Sequence, residues 1–193
     1  MTCFRDFTVS LWEIFGGHLL LLVSLVFYIA WWTVAFWPNR DSKTVGAFFL
    51  IAVAFFVGVA AFVLMSLDIN SLSLAGSRIL VGYILLGATV FYFILLAITI
   101  IVFHRTVTSE LLLIIVWAAL EGAVIAVLHG NGRFSMGQAL LLVTLVVLAT
   151  GVGIVCYILY YRLDEFSRFW NGLIPLIVDA GVVTAFLVVL TLF

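Results

Sequence analysis

The stretch Leu111–Leu128, LLLIIVWAALEGAVIAVL, sets the fold class of this 193-residue chain. Sixteen of its eighteen residues are apolar or aromatic, and the two exceptions are Glu121 and Gly122. A helix rises 1.5 Å per residue, so about 20 such residues cross the hydrocarbon core of a bilayer. The stretch therefore predicts a membrane-spanning helix that carries a carboxylic acid near its middle.

The composition of the whole chain points the same way. Hydrophobic residues make up 67% of the sequence and charged residues 9%, whereas soluble domains are about half apolar and a quarter charged. A soluble fold of this size could not bury so much apolar surface, so the lipid bilayer is the expected partner. The net charge of −1 gives no basic surface for nucleic acid, and we expect none to bind.

Six apolar runs follow one another, and the short connections leave no room for a soluble domain. The predicted spans are Ile14–Trp37, Val45–Leu67, Ile79–Phe103, Leu111–Leu128, Met136–Tyr161 and Leu173–Phe193. The first run has no clear cleavage site and is interpreted as a retained span. The sequence thus predicts an all-α bundle of six transmembrane helices with short loops, in a single domain covering residues 1–193.

Basic residues predict the orientation of the spans, because cytoplasmic loops are enriched in Lys and Arg. Five lie in the first, third and fifth loops and three on the other side: Arg40, Lys43, Arg105, Arg162 and Arg168, against Arg5, Arg78 and Arg133. This predicts that both termini lie outside the cytoplasm. Short loops and the absence of a targeting signal favour a bacterial inner membrane.

Aromatic residues gather near the predicted span ends. Five tryptophans are placed there and are interpreted as an interfacial aromatic belt: Trp12, Trp31, Trp32, Trp37 and Trp170. The segment 162–170 mixes charged and aromatic residues, and we expect it to be a loop lying along the membrane interface.

Two stretches of the sequence resemble each other. Residues 57–76 and residues 152–172 both read V-G, then L-D-x-x-S-x-x-x-x-G, and each is expected to lead from the middle helix of a triplet into the third. If this is a duplication, residues 1–105 and 106–193 form two three-helix repeats, inverted in the membrane because three is odd. The alternative is chance likeness between two apolar segments.

Carboxylic acids inside the spans are the strongest functional signal. A charged side chain at the centre of a bilayer costs about 3 kcal/mol on insertion scales, so Glu121 is expected to face inward, paired or protonated. Glu110 lies eleven residues earlier on the same predicted helix face. Asp179 follows Pro175 in the sixth run and could share one site with Glu121. Arg78 is the basic residue placed best to reach inward from the start of the third span.

Three polar residues are predicted to lie toward one membrane face, where they could form a proton relay or a metal site: Glu13, His18 and His129. Solvated interfacial histidines are the alternative. No HExxH, GxSxG or Walker motif is present in the sequence, so no cofactor is predicted.

These features favour a small transporter or channel for a proton, a cation or a small solute, with Glu121 and Asp179 as its site. The alternative is a non-catalytic partner or assembly subunit, for which stripes of small residues on the second and fourth spans would suffice, either within the chain or in a homo-oligomer. A lipid-modifying enzyme using Asp164, Glu165 or the histidines ranks last, so we expect no catalysis.

Overall fold

The computed structural model describes residues 2–37, 45–72, 75–102 and 109–192. Within these ranges the chain is all-α and has no strand, which confirms the predicted six-helix bundle. The helices are α1 Thr2–Phe36, α2 Val45–Leu72, α3 Ala75–Ile101, α4 Ser109–Gly130, α5 Met136–Leu159 and α6 Glu165–Thr191. One short 3-10 turn, Tyr160–Arg162, follows α5.

Each of the six helices is long and apolar enough to cross a membrane. Their exposed surface is rich in large aliphatic and aromatic side chains, such as Phe55 and Phe56 on α2 and Ile79 and Phe93 on α3. Surface of this kind is stable in lipid and not in water. The chain is therefore an integral membrane protein whose helices contact the bilayer.

Helix α6 begins eight residues before its predicted start at Leu173. The Asp164 carboxylate accepts a hydrogen bond from the backbone N–H of Ser167 at 3.3 Å and so caps the helix. Capping satisfies a backbone donor that the first helical turn leaves without a partner. The prediction that residues 162–170 form an interfacial loop is therefore wrong for residues 165–170, which are helical. Pro175 lies inside the helix.

The chain divides into two compact units. Residues 1–72 and 163–193 contain α1, α2 and α6, called the α1 unit below, and residues 73–162 contain α3, α4 and α5, called the α4 unit. In the α1 unit, α1 packs against both α2 and α6. In the α4 unit, α4 packs against both α3 and α5.

Small residues allow α1 and α2 to pack closely. Gly17 lies against the Met65 side chain, and a methyl group added to Gly58 would stand 2.8 Å from Ser24 Oγ. The Ser24 hydroxyl donates a hydrogen bond to the Ala54 carbonyl oxygen at 2.7 Å. The small residues predicted to form a stripe on α2 thus serve contacts within the chain, as close helix approach in lipid requires.

A buried tryptophan contributes to the packing of α1 against α6. The Trp32 indole N–H donates to the Phe169 carbonyl oxygen at 3.0 Å. The ring also covers Gly172, where an added Cβ would overlap its six-membered part. Trp32 is 8% exposed, so its assignment to an aromatic belt is wrong. By contrast, Trp12 and Trp37 are exposed as such a belt requires.

The α4 unit is held together by apolar contacts. Leu111 and Ile115 of α4 form a buried cluster with Tyr157 of α5. Partly buried side chains of all three helices surround it: Ala88, Tyr92, Leu95, Ile114 and Ile158. Gly153 of α5 lies against Ile114 of α4. A Cβ added to Gly122 of α4 would lie 3.6 Å from a methyl group of Ile84 on α3.

The two units share one packing order. The central helix is the first of each predicted triplet, and it contacts the second helix of its own triplet and the third helix of the other triplet. On α1, the contacts at Ser24 and Trp32 are eight residues apart, and on α4 the contacts at Ile114 and Gly122 are also eight residues apart. The repeat itself stays a prediction.

Part of the orientation prediction rests on Arg40, Lys43 and Arg105, which lie outside the described residues. The predicted ends of the third and sixth spans, Phe103 and Phe193, lie outside them as well. The orientation of the spans therefore also stays a prediction.

Candidate functional site

Glu121 lies in the most buried part of the chain. It is 12 residues from the first residue of α4 and 9 from the last, or about 18 Å and 14 Å at the rise of a helix. The residue is 0% exposed, and every residue of the run 119–128 except Gly122 is buried. The structure thus places a carboxyl group inside apolar surroundings near the middle of a span.

Trp117 precedes Glu121 by one helical turn. Its side chain is half-buried overall, but its indole nitrogen is buried and donates to no acceptor among the residues that the structure describes. Residues four apart are neighbours on a helix surface, with about 5–6 Å between their Cβ atoms. Trp117, which carries a buried N–H donor, and Glu121 are therefore neighbours on the surface of α4.

The other two residues predicted near Glu121 lie at the surface. Glu110 is in the first turn of α4 and is exposed, and Arg78 is exposed near the start of α3. Arg78 is six residues from Ile84, which contacts Gly122, so it lies about 9 Å along α3 from the level of Glu121. The predicted roles of Glu110 and Arg78 remain predictions.

In the α1 unit the structure brings two acids together. The carboxyl groups of Glu13 on α1 and Asp68 on α2 lie close enough to interact. Glu13 is exposed, whereas Asp68 is 3% exposed. Two ionised carboxyl groups in contact repel each other, and a proton on one of them relieves the repulsion. This contact is therefore a candidate proton site.

His18 lies just over one turn beyond Glu13 and is 0% exposed. Its Nδ1 is 2.8 Å from the Ile14 carbonyl oxygen, and because a carbonyl only accepts, Nδ1 carries the proton in this contact. The ring also stacks on Phe186 of α6, with 5.0 Å between the ring centroids. His18 therefore contributes to the packing of α1 against α6.

Asp179 is half-buried in α6. Because α6 begins at Glu165, Asp179 is 14 residues from the first residue of the helix and 12 from the last, which places it near the middle at about 21 Å from the start. Glu121 and Asp179 belong to different units, and a shared site remains a prediction.

The third residue of the predicted polar cluster, His129, ties the end of α4 to the following turn. Its Nδ1 is 2.9 Å from the Phe134 carbonyl oxygen. Among the described residues, no group of three or more His, Cys, Asp or Glu side chains is arranged to hold a metal ion. The observed hydrogen bonds give His18 and His129 structural roles.

Outside the spans, one acid has a shifted pKa. Hydrogen bonds from the side chain and the backbone N–H of Ser167 lower the pKa of the Asp164 carboxyl below its ordinary value of 3.8. The carboxylate is the form that caps α6, so the same contact explains the cap and the shift.

Comparisons of the chain with protein families, characterised proteins and solved structures find no match. The functional argument therefore rests on the chemistry of the residues described above.

Asp68 is the site residue that the sequence analysis missed. The apolar pattern predicts that the second span ends before Asp68, but Asp68 lies inside α2 and interacts with Glu13. The contact follows from the register of the α1–α2 hairpin, because a helical hairpin pairs residues equally distant from its loop. Gly17 and Met65 are each 24 residues from position 41, and Glu13 and Asp68 are 28 and 27 residues from it.

Proposed function

We propose that the chain transports protons or small cations across the membrane, using carboxyl groups inside its spans. The single observation that carries this proposal is the contact between Glu13 and Asp68. It joins an exposed and a buried carboxyl group, both of them in helices that can cross the bilayer. We infer that a proton enters at the exposed Glu13 and passes to the buried Asp68.

The placement of two further acids supports the same function. Glu121 and Asp179 lie near the middle of α4 and α6, where insertion of a charged group costs about 3 kcal/mol. Acids at such a depth are commonly found on ion and proton pathways. Each unit thus contributes one acid near the middle of a helix, and the α1 unit adds the Glu13–Asp68 pair near the ends of the spans Trp12–Phe36 and Gly46–Asn70.

We also propose that the chain arose as two three-helix repeats that exchange their third helices. The common packing order supports it, because α1 contacts α2 and α6 as α4 contacts α5 and α3. The paired glycines Gly58 and Gly153, which open the two similar stretches, both contact the central helix of their unit. Inverted repeats are frequent in secondary transporters, so this architecture agrees with the proposed function.

The test is ion flux into proteoliposomes that contain the purified chain, under an imposed membrane potential. Proton uptake would be compared between the wild type and the variants Asp68→Asn, Glu121→Gln and Asp179→Asn. Glu165→Gln serves as the matched control, because it neutralises an exposed acid in the first turn of α6. Potassium and sodium uptake would be measured in parallel.

We expect wild-type flux above that of empty vesicles, and a loss of about tenfold or more in Asp68→Asn or Glu121→Gln, which corresponds to about 1.4 kcal/mol. Glu165→Gln should conduct like the wild type. Absence of flux for all three cations would contradict the proposal. Variants that lose folded yield while the flux per folded molecule is unchanged would instead support the partner-subunit interpretation.

A further inference from the structure

The indole N–H of Trp117 is a buried donor without an acceptor among the described residues. Natural proteins rarely leave such a group without a hydrogen bond, and most exceptions bind water or a ligand. The half-buried ring of Trp117 shows that the site is accessible at one edge while the nitrogen itself is covered.

Glu121 is the acidic residue nearest to Trp117 along α4. Residues four apart on a helix have about 5–6 Å between their Cβ atoms. Glu121 itself lies in the fully buried part of the helix. The backbone of α4 thus places a buried N–H donor and a buried carboxyl group on residues one turn apart.

We propose that Trp117 and Glu121 together bind a water molecule that passes protons to and from the Glu121 carboxyl, so that the transported species at this site is the proton. The water oxygen accepts from the indole N–H, and a water hydrogen is donated to the carboxyl group. When the carboxylate takes a proton from this water, the water takes a proton from a neighbouring water molecule, so the bound water is restored. The inference rests on the proposed function and narrows it.

The chemistry of the pair disfavours a metal cation. A metal ion is held by lone pairs, usually by several oxygen ligands, and an N–H group offers it none. The nearest acid on α4 along this side, Glu110, is eleven residues away and exposed, about 16 Å along the helix axis. One carboxyl group beside an N–H donor is therefore better suited to a hydrogen-bonded water than to sodium or potassium.

The experiment combines flux with infrared spectroscopy on Trp117→Phe, which keeps an aromatic ring and removes the N–H. Trp170→Phe is the matched control, since it removes an exposed indole N–H in α6. Proton, sodium and potassium uptake would be measured in proteoliposomes. Difference infrared spectra would follow the carboxyl band that disappears in Glu121→Gln, in ordinary water and in water labelled with oxygen-18.

We expect wild-type flux of protons but not of sodium or potassium, and a loss of about tenfold in Trp117→Phe, the size of one hydrogen bond. The wild-type spectrum should contain a water band that shifts with oxygen-18 and vanishes in both Trp117→Phe and Glu121→Gln. The Glu121 carboxyl band should also shift in Trp117→Phe. Trp170→Phe should match the wild type in every measurement.

Two results would overturn this inference while leaving the proposed function intact. One is proton flux that is unchanged in Trp117→Phe, and the other is transport of sodium or potassium in place of protons. If the wild type conducts no ion, the proposed function fails. The infrared spectra alone then test whether a water molecule binds at Trp117 and Glu121. A water band common to Trp117 and Glu121 would support that site, and its absence would overturn it.

Discussion

The two units are packed in the same order but from different chemistry. In the α1 unit the central helix is joined to its neighbours by polar contacts: Glu13 with Asp68, Ser24 with Ala54 and Trp32 with Phe169. In the α4 unit the central helix is joined to its neighbours by the apolar cluster of Leu111, Ile115 and Tyr157. Glu121 lies apart from that cluster, further along α4.

The difference shows two ways to associate helices in lipid. In a membrane, the burial of apolar side chains gives little driving force for helix association, because the lipid is as apolar as the side chains. The α1 unit gains specificity from directional hydrogen bonds and from glycines that admit a neighbour. The α4 unit relies on close packing of large side chains. A shared packing order therefore does not require shared contacts, and substitutions should affect the two units unequally.

The largest effect is expected at Gly172. A Cβ there would overlap the rigid Trp32 ring, whereas a Cβ at Gly122 would make an ordinary 3.6 Å contact with Ile84. We expect Gly172→Ala to lower the free energy of unfolding by about 1–3 kcal/mol, as overpacking does, and Gly122→Ala to leave it nearly unchanged. Chemical unfolding in detergent micelles, followed by circular dichroism, measures both.

Equal losses of unfolding free energy in Gly172→Ala and Gly122→Ala would contradict this prediction, because the two contacts would then be equally tight. The double variant Gly172→Ala with Trp32→Phe provides a further check. The smaller ring should recover part of the stability that Gly172→Ala loses, since residues in contact do not contribute independently.

A smaller effect is expected from Trp32→Phe alone. It removes the N–H that donates to the Phe169 carbonyl oxygen at 3.0 Å, and a hydrogen bond between helices in a membrane is worth about 1 kcal/mol. The control is Trp31→Phe, one residue away and half-buried. We expect a loss of about 1 kcal/mol in the first variant and little in the second. A loss in Trp31→Phe as large as that in Trp32→Phe would show that ring volume, and not the hydrogen bond, joins α1 to α6.

The smallest effect is expected at Asp164, where α6 begins. Its pKa is lowered in the folded chain by Ser167, so the cap stabilises the fold above the ordinary pKa of 3.8 and is lost as the pH falls through the lower folded value. Asp164→Asn keeps a capping oxygen without a titratable group. The melting temperature of the wild type should therefore fall slightly more than that of Asp164→Asn on acidification. Parallel curves for the two proteins would contradict this assignment.

Much of the fold was predictable because lipid imposes its pattern on the sequence. Runs of about 20 apolar residues have one common solution, a spanning helix, and all six were found. Helix ends were less predictable where a polar segment continued the helix. Residues 165–170 contain charged side chains, a pattern that predicts a loop, yet the Asp164 cap starts α6 there.

The candidate site was predictable only in part. Glu121 could be identified because a carboxyl group inside an apolar run stands out in the sequence itself. The partner of Glu13 could not be identified in this way, because Asp68 lies 55 positions later and its proximity depends on the register of the α1–α2 hairpin. Trp32 was missed for the same reason, since its partners in α6 are remote in sequence and its own neighbours gave it the pattern of an interfacial residue.

The contact of Trp32 with Gly172 also constrains the order of events during synthesis. The three helices of the α4 unit are consecutive in the chain, so that unit can assemble as soon as α5 has emerged from the ribosome. The α1 unit needs the first two helices and the last one, and proteins are made from the N-terminus onward. Helices α1 and α2 are thus synthesised about 90 residues before α6. The ring of Trp32 cannot pack against Gly172 until α6 has been made.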